Sequence, residues 1–214
     1  SEELEAAEQA LATYVVYVQD NPEAWQALGR ARYLLGEDLE AALLAYNQAI
    51  EMDEENPRAY FDRGLVFIDL GEGQKAINDL EAARRLGERS FELNLALGRA
   101  LIVAARFEDG YLVIDNSVEL AETVEQQAQL LYWRAQALEF LGRTRDALAD
   151  WTALLAMDEA AFPEEWASLA NRRVATLTVP TTTPTFTPSP TRTRTPTATA
   201  TDTPTPSRTP TATR

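Results

Sequence analysis

The sequence predicts an all-α protein: a stack of helical hairpins followed by an extended tail. Three observations carry this. Residues 1–177 are rich in Ala, Leu and Glu, with apolar residues at helical spacing. Within them, a pattern of small and large residues recurs at intervals of 35, 34 and 37. After Leu177 the composition changes abruptly, and residues 178–214 hold 17 Thr, 8 Pro and 2 Ser. Such a segment cannot bury a core. The expected domains are therefore 1–177 and 178–214.

Taken in order, residues 4–19 (LEAAEQALATYVVYVQ) read as a helix that matches the second helix of a hairpin but has no first helix before it. Four hairpins follow, starting at Pro22, Pro57, Phe91 and Ala128. Their fourth positions are Trp25, Tyr60, Asn94 and Leu131, and their eighth are Gly29, Gly64, Gly98 and Ala135. Turns are expected at Gly36, Gly71, Arg106 and Gly142. Small residues open each second helix (Ala42, Ala76, Gly110, Ala147), and a large one stands four later (Tyr46, Leu80, Ile114, Trp151). Small residues at the eighth and twentieth positions let the two helices of a hairpin approach closely. Large ones at the fourth and twenty-fourth fill the gap between repeats. Residues 163–175 (PEEWASLANRRVA) read as a first helix with no second, Trp166 matching Trp25. Each hairpin has an apolar face that only a neighbour can cover, so a one-dimensional stack results.

PEAWQALGRARYLLGEDLEAALLAYNQAIEMD and YFDRGLVFIDLGEGQKAINDLEAARRL resemble the tetratricopeptide repeat, whose pattern is W-x2-L-G-x2-Y, then A-x3-F, then P. The likeness covers about 160 residues. The third repeat, with Asn94 and Gly110, departs most. The resemblance implies a right-handed solenoid of about four repeats plus solitary terminal helices, with the first helices lining a concave face. Family positions 2, 5, 9, 12 and 13 supply that face. Here they include Gln26, Arg30, Tyr33, Phe61, Leu65 and Ile68, then Leu95, Arg99, Ile102 and Val103, then Tyr132, Gln136 and Phe140. Such an apolar groove with two Arg suits an extended segment or a helix of another protein. The alternative is that some of these side chains are core between neighbouring helices. Chaperone-type repeats that clamp a terminal carboxylate use Lys and Asn at the fifth and ninth positions. Here those pairs are Gln26/Arg30, Phe61/Leu65 and Leu95/Arg99, so no such clamp is expected.

The chain contains no Cys and no His. That excludes disulfides, Ser-His-Asp and Cys-His catalysis, and Cys/His zinc sites. Neither an enzyme nor a cofactor is expected. Lys and Arg total 19 against 34 Asp and Glu. The tail holds four Arg and one Asp, or +3, which leaves 15 basic and 33 acidic residues in the body, or −18. An acidic body repels phosphate backbones, so nucleic acid is not an expected partner. No apolar run is long enough for a membrane span. The acid pairs, such as Glu108-Asp109 and Glu164-Glu165, fall at repeat junctions and helix first turns. There they complement the helix dipole and need no metal. Gly71-x-Gly73 is a turn between helices rather than a phosphate loop, because no strand precedes it.

The solitary terminal helices admit two readings. Each could be a solubilising cap. Or the last helix of one copy could sit beside the first of the next, with Trp166, Leu169 and Ala170 facing Leu11, Tyr14, Val15 and Val18. That head-to-tail contact propagates into a filament. The chain starts at Ser1 and shows no signal peptide, as expected of a processed or cropped product.

In the tail, every odd-numbered residue from 181 to 213 is Thr or Ser. These are Thr181, Thr183, Thr185, Thr187, Ser189, Thr191, Thr193, Thr195 and Thr197. Thr199, Thr201, Thr203, Thr205, Ser207, Thr209, Thr211 and Thr213 follow. Pro at seven of the even positions opposes helix and strand pairing and favours a polyproline II path. The alternation resembles O-glycosylated stalks of bacterial surface proteins, so covalent glycans and an extracellular or cell-surface location are expected. The alternative is an unmodified linker. Together these features point to a self-associating subunit of a surface fibril or layer, or to a monomeric module that grips a peptide in its groove, with the tail as a spacer.

Overall fold

The computed structural model describes residues 2–36 and 38–178. Among these are ten α-helices and no strand. Helix α1 spans Glu2–Tyr17 and stands alone. Four hairpins follow: α2 (Pro22–Leu35) with α3 (Leu39–Met52), α4 (Pro57–Asp69) with α5 (Gly73–Arg85), α6 (Phe91–Val103) with α7 (Phe107–Asp115), and α8 (Val124–Phe140) with α9 (Thr144–Leu155). Helix α10 (Glu164–Thr178) closes the stack. Each helix packs on its neighbours in the chain, and the first helices α2, α4, α6 and α8 also touch one another in sequence along one side. The chain divides into a helical unit, residues 1–179, and a second unit, residues 180–214. The expected tail lies outside the described residues.

Local chemistry sets the helix starts. Asn21 and Asn56 cap α2 and α4 through their side-chain oxygens, each followed by a Pro whose missing N–H costs nothing at that position. Asp38 caps α3 and Ser90 caps α6. Thr123 and Gln126 form a reciprocal capping box on α8. By contrast, α5, α7 and α9 begin without a side-chain cap. They follow tight turns that carry a left-handed residue: Gly71, Ala105 and Gly142. The left-handed position in the third hairpin is therefore Ala105, at φ 58°, and not the neighbouring Arg106 that the alignment pointed to. Arg106 instead occupies the position just before α7.

The core repeats one device. A large residue on the second helix seats in a notch left by a small residue on the first. A Cβ at Gly29 would lie 2.9 Å from the Tyr46 ring, one at Gly64 3.0 Å from Leu80, and one at Gly98 2.4 Å from Ile114. In the fourth hairpin Trp151, with no exposed surface, shares a cluster with Ala135. The residue expected between repeats thus fills first the hairpin's own notch.

A second device is polar and appears in alternate hairpins. Arg63 donates to both carboxylate oxygens of Asp79 at 2.7 and 2.8 Å and to Asn47 at 2.7 Å. Arg134 repeats this, reaching Asp150 at 2.7 and 2.8 Å and Asp115 at 2.8 Å. Each guanidinium ties its own hairpin to the second helix of the preceding one. The first and third hairpins hold Leu28 with Ala45, and Leu97 with Val113, at the matching places. Forked pairing satisfies both oxygens of a carboxylate at least nine-tenths buried, which such burial requires.

Candidate functional site

The first helices of the hairpins bring a set of side chains to one open trough of about 410 Å³. Helix α4 contributes Arg58, Phe61 and Leu65, and α6 contributes Glu92, Leu95, Ala96 and Arg99. Helix α8 adds Gln129 and Trp133, and α10 adds Trp166. The guanidinium of Arg58 lies 5.0 Å from the Phe61 ring centre, and that of Arg99 lies 4.8 Å from the Trp133 ring. Both cations thus lie over aromatic walls.

A polar ladder flanks this trough. Gln26 donates to Asp62 at 3.1 Å and accepts from Asn56 at 3.0 Å. Arg58 pairs with Asp62 at 2.9 Å. Burial pushes the Asp62 carboxyl above its ordinary range, against the pull of Gln26 and Arg58. Further along, Asp69 accepts from the Tyr33 hydroxyl at 2.7 Å and meets Arg99 at 3.4 Å. Burial first, and the Asp69 contact second, push the Tyr33 hydroxyl upward. Two donors on neighbouring helices, Arg99 Nε and Gln136 Nε2, are buried and find no acceptor among the described residues.

Of the expected groove residues, Phe61, Leu65, Leu95 and Arg99 meet in the trough. Gln26 and Tyr33 belong to the ladder, and Arg30 is exposed beside them. Four expectations need correction. Ile68 is core, in a cluster with Leu97 and Ala100, because the stack closes over it. Ile102 turns toward α7, where a Cβ on Gly110 would come within 3.1 Å of it. On α8 the residue that faces the trough is Trp133. The expected Tyr132 instead stacks on Trp166 at 4.1 Å and meets Trp151 edge-on at 5.6 Å. Phe140, at the far end of α8, stacks on Phe107 at 4.4 Å, outside the trough. Val103 is partly exposed at the end of α6. Arg58, Glu92, Gln129 and Trp133 were missed. Arg58, Glu92 and Gln129 occupy the second family position, which the residue reading had named without filling.

Two of the seven residues expected at the end-to-end joint, Val15 and Ala170, are buried within the chain. Val15 is 3% exposed and packs with Leu11 against Ala24 and Leu28 of α2. Ala170 has no exposed surface, and with Trp166 and Leu169 it packs against the Trp151 and Leu154 cluster. Each terminal helix turns part of its apolar surface onto neighbours within the chain, α1 onto α2 and α10 onto α8 and α9. Tyr14 alone of the seven is exposed, and Leu11, Val18, Trp166 and Leu169 are half-buried. The outward face of α10 carries Glu165, Ser168, Asn171, Arg172 and Thr176, the polar surface of a cap. The expected glycosylation positions, 181–213, lie outside the described residues. Among the described residues, no three carboxylates converge as a cation site, and no helix is long and apolar enough to cross a membrane.

Fold and trough define a helical-repeat scaffold for protein interaction. Residues 32–71 and 61–110 match tetratricopeptide-repeat profiles, in keeping with the stack of helical hairpins. It is 28% identical over 83 residues to the small glutamine-rich tetratricopeptide repeat-containing protein 2 of Mycosarcoma maydis, covering 39% of this chain and 24% of that protein. It is 26% identical over 191 residues to the protein FlbA of Caulobacter vibrioides, covering 82% of this chain and 32% of that one. The chain thus spans a quarter to a third of the length of these relatives. Among solved structures it resembles YrrB, described as a TPR protein with an unusual peptide-binding site, with a TM-score of 0.61 and 20% identity over 80% of this chain and 83% of that one.

Proposed function

We propose that the chain is a non-catalytic interaction module that holds an extended peptide of another protein across its concave trough. The observation that carries this is the convergence of Leu65, Trp133 and Trp166, backed by the largely buried Phe61 and Leu95, from four helices onto the walls of one open trough. Around it stand cations already fixed by their own partners. Aromatic walls bind apolar side chains, and pre-placed polar groups fix the direction of the backbone. The peptide-binding site described for YrrB supports the same reading. The test is selection from a displayed library of short random peptides. Wild-type protein should enrich a consensus with aliphatic or aromatic anchors, and Leu65→Glu and Trp133→Ala should each lose it. Enrichment no better with wild type than with Leu65→Glu overturns the reading.

The unbroken Thr/Ser alternation of the tail supports a further part of the proposal: export to the cell surface with O-linked sugars on those hydroxyls. Tail peptides from the native source should then exceed their sequence masses in increments of hexose or pentose, and tail peptides at their sequence masses refute it.

A further inference from the structure

The trough runs against the charge of the body that holds it. Residues 1–177 contain 15 basic and 33 acidic residues, yet the trough is lined by two arginines, Arg58 and Arg99, and one acid, Glu92. Glu92 accepts from Gln126 at 3.0 Å and pairs with neither arginine among the described residues. Each arginine is held without being saturated. Arg58 has its Nε 2.9 Å from Asp62 and half of its side chain exposed. Arg99 reaches Asp69 only at 3.4 Å, on a carboxylate that already accepts from the Tyr33 hydroxyl at 2.7 Å. The buried Nε of Arg99 finds no acceptor among the described residues. A guanidinium carries five N–H donors in a fixed fork, and the Trp133 ring 4.8 Å away holds this one in place.

Taking the trough as the peptide site proposed for it, we infer that it selects a peptide with a single internal Asp or Glu between two apolar anchors, the carboxylate pairing with Arg99. Arg58 adds to the local positive charge. Order along the stack sets the spacing. Arg99 stands on α6, between Leu65 of α4 on one side and Trp133 and Trp166 of α8 and α10 on the other. Helix α6 touches both α4 and α8. Packed helices lie ~8–10 Å apart and an extended chain advances ~3.3 Å per residue, so the acid falls about three residues from each anchor.

The body narrows the choice. Its net −18 repels a strongly acidic segment over the ~8–10 Å that salt leaves unscreened. One carboxylate that reaches the arginines is therefore favoured over an acidic run or a phosphate dianion.

The probe is the consensus peptide from the displayed library, synthesised with both ends blocked and titrated against the full chain by fluorescence anisotropy. The consensus should carry Asp or Glu between its anchors, and replacing that residue by Gln or Asn should weaken binding about tenfold or more. This substitution lies on the peptide, so the result does not depend on how any protein variant folds. Arg99→Met should lose the same factor, bind the acidic and amide peptides alike, and keep the helix content of wild type; Arg99→Lys should regain part of the preference. A consensus with a neutral or basic centre overturns the inference and leaves the trough a peptide site. Equal binding of the acidic and amide peptides by wild type does the same, as does binding that requires a free carboxy terminus. No consensus at all overturns the peptide site and the inference together.

Discussion

Arg134 shows how much one side chain can hold in a repeat stack. Removing it leaves Asp150, nine-tenths buried, without its forked partner. Arg134→Ala should cost about 3 kcal/mol in urea unfolding, as breaking a buried pair does. Replacing both partners by the apolar pair of the third hairpin, as Arg134→Leu with Asp150→Val, should restore most of that. A single variant as stable as wild type shows that the guanidinium braces nothing. Ionisation offers a second test. Burial raises the Tyr33, Tyr46 and Tyr132 hydroxyls above their ordinary range. A raised phenol stabilises the fold below its unfolded pKa, near ~10, and that contribution fades as pH climbs beyond it. Absorbance titration should therefore show the Tyr33, Tyr46 and Tyr132 hydroxyls ionising only above ~10, together with unfolding. Ionisation of these three near ~10 in the folded protein means that they are open to water.

At the scale of elements, the notch device explains what the sequence disclosed. Small residues at the eighth position and large ones in the second helix announce hairpins because sterics permit few other pairings there. Gly98→Ala would drive a Cβ into Ile114 at 2.4 Å, so it should lower stability by about 1–3 kcal/mol in thermal or urea unfolding. Ala105 presents the opposite case. It holds a left-handed φ that Gly71 and Gly142 fill in sister hairpins. Ala105→Gly should raise stability by about 1 kcal/mol, read as a higher melting temperature. A fall instead means that the Cβ of Ala105 packs productively. The repeat lengths and the solitary terminal helices were legible in the sequence for the same steric reason. Helix rotation was not. One residue of drift separates Tyr132 from Trp133, and spacing alone does not decide which of two adjacent aromatics faces the trough. The inward turn of Trp166 and Ala170 was equally hidden, because a helix that lacks one neighbour rotates toward the other. The Arg–Asp brace did leave a signal, an Arg and an Asp 16 apart at 63/79 and again at 134/150. It escapes a search built on a single repeat because it recurs only in alternate hairpins.

The whole molecule is asymmetric. Its first helix shows Ala and Tyr outward, and its last shows Glu, Ser, Asn and Arg. Helix α10 is also the better anchored of the two. Tyr132 stacks on its Trp166, and its Ala170 is fully enclosed, whereas α1 is held chiefly by Leu11 and Val15 against α2. The tail leaves the chain directly after α10. If the tail is a tether, any pull on it enters the solenoid at the firmly seated end and spreads through the aromatic stack before it reaches the weaker one. Stretched between its two termini in a single-molecule trap, the protein should peel from α1 first, at low force, and release α10 late. A tethered repeat protein of this build behaves like a rope made fast at its strong end, shedding its outermost turn while the concave face stays intact.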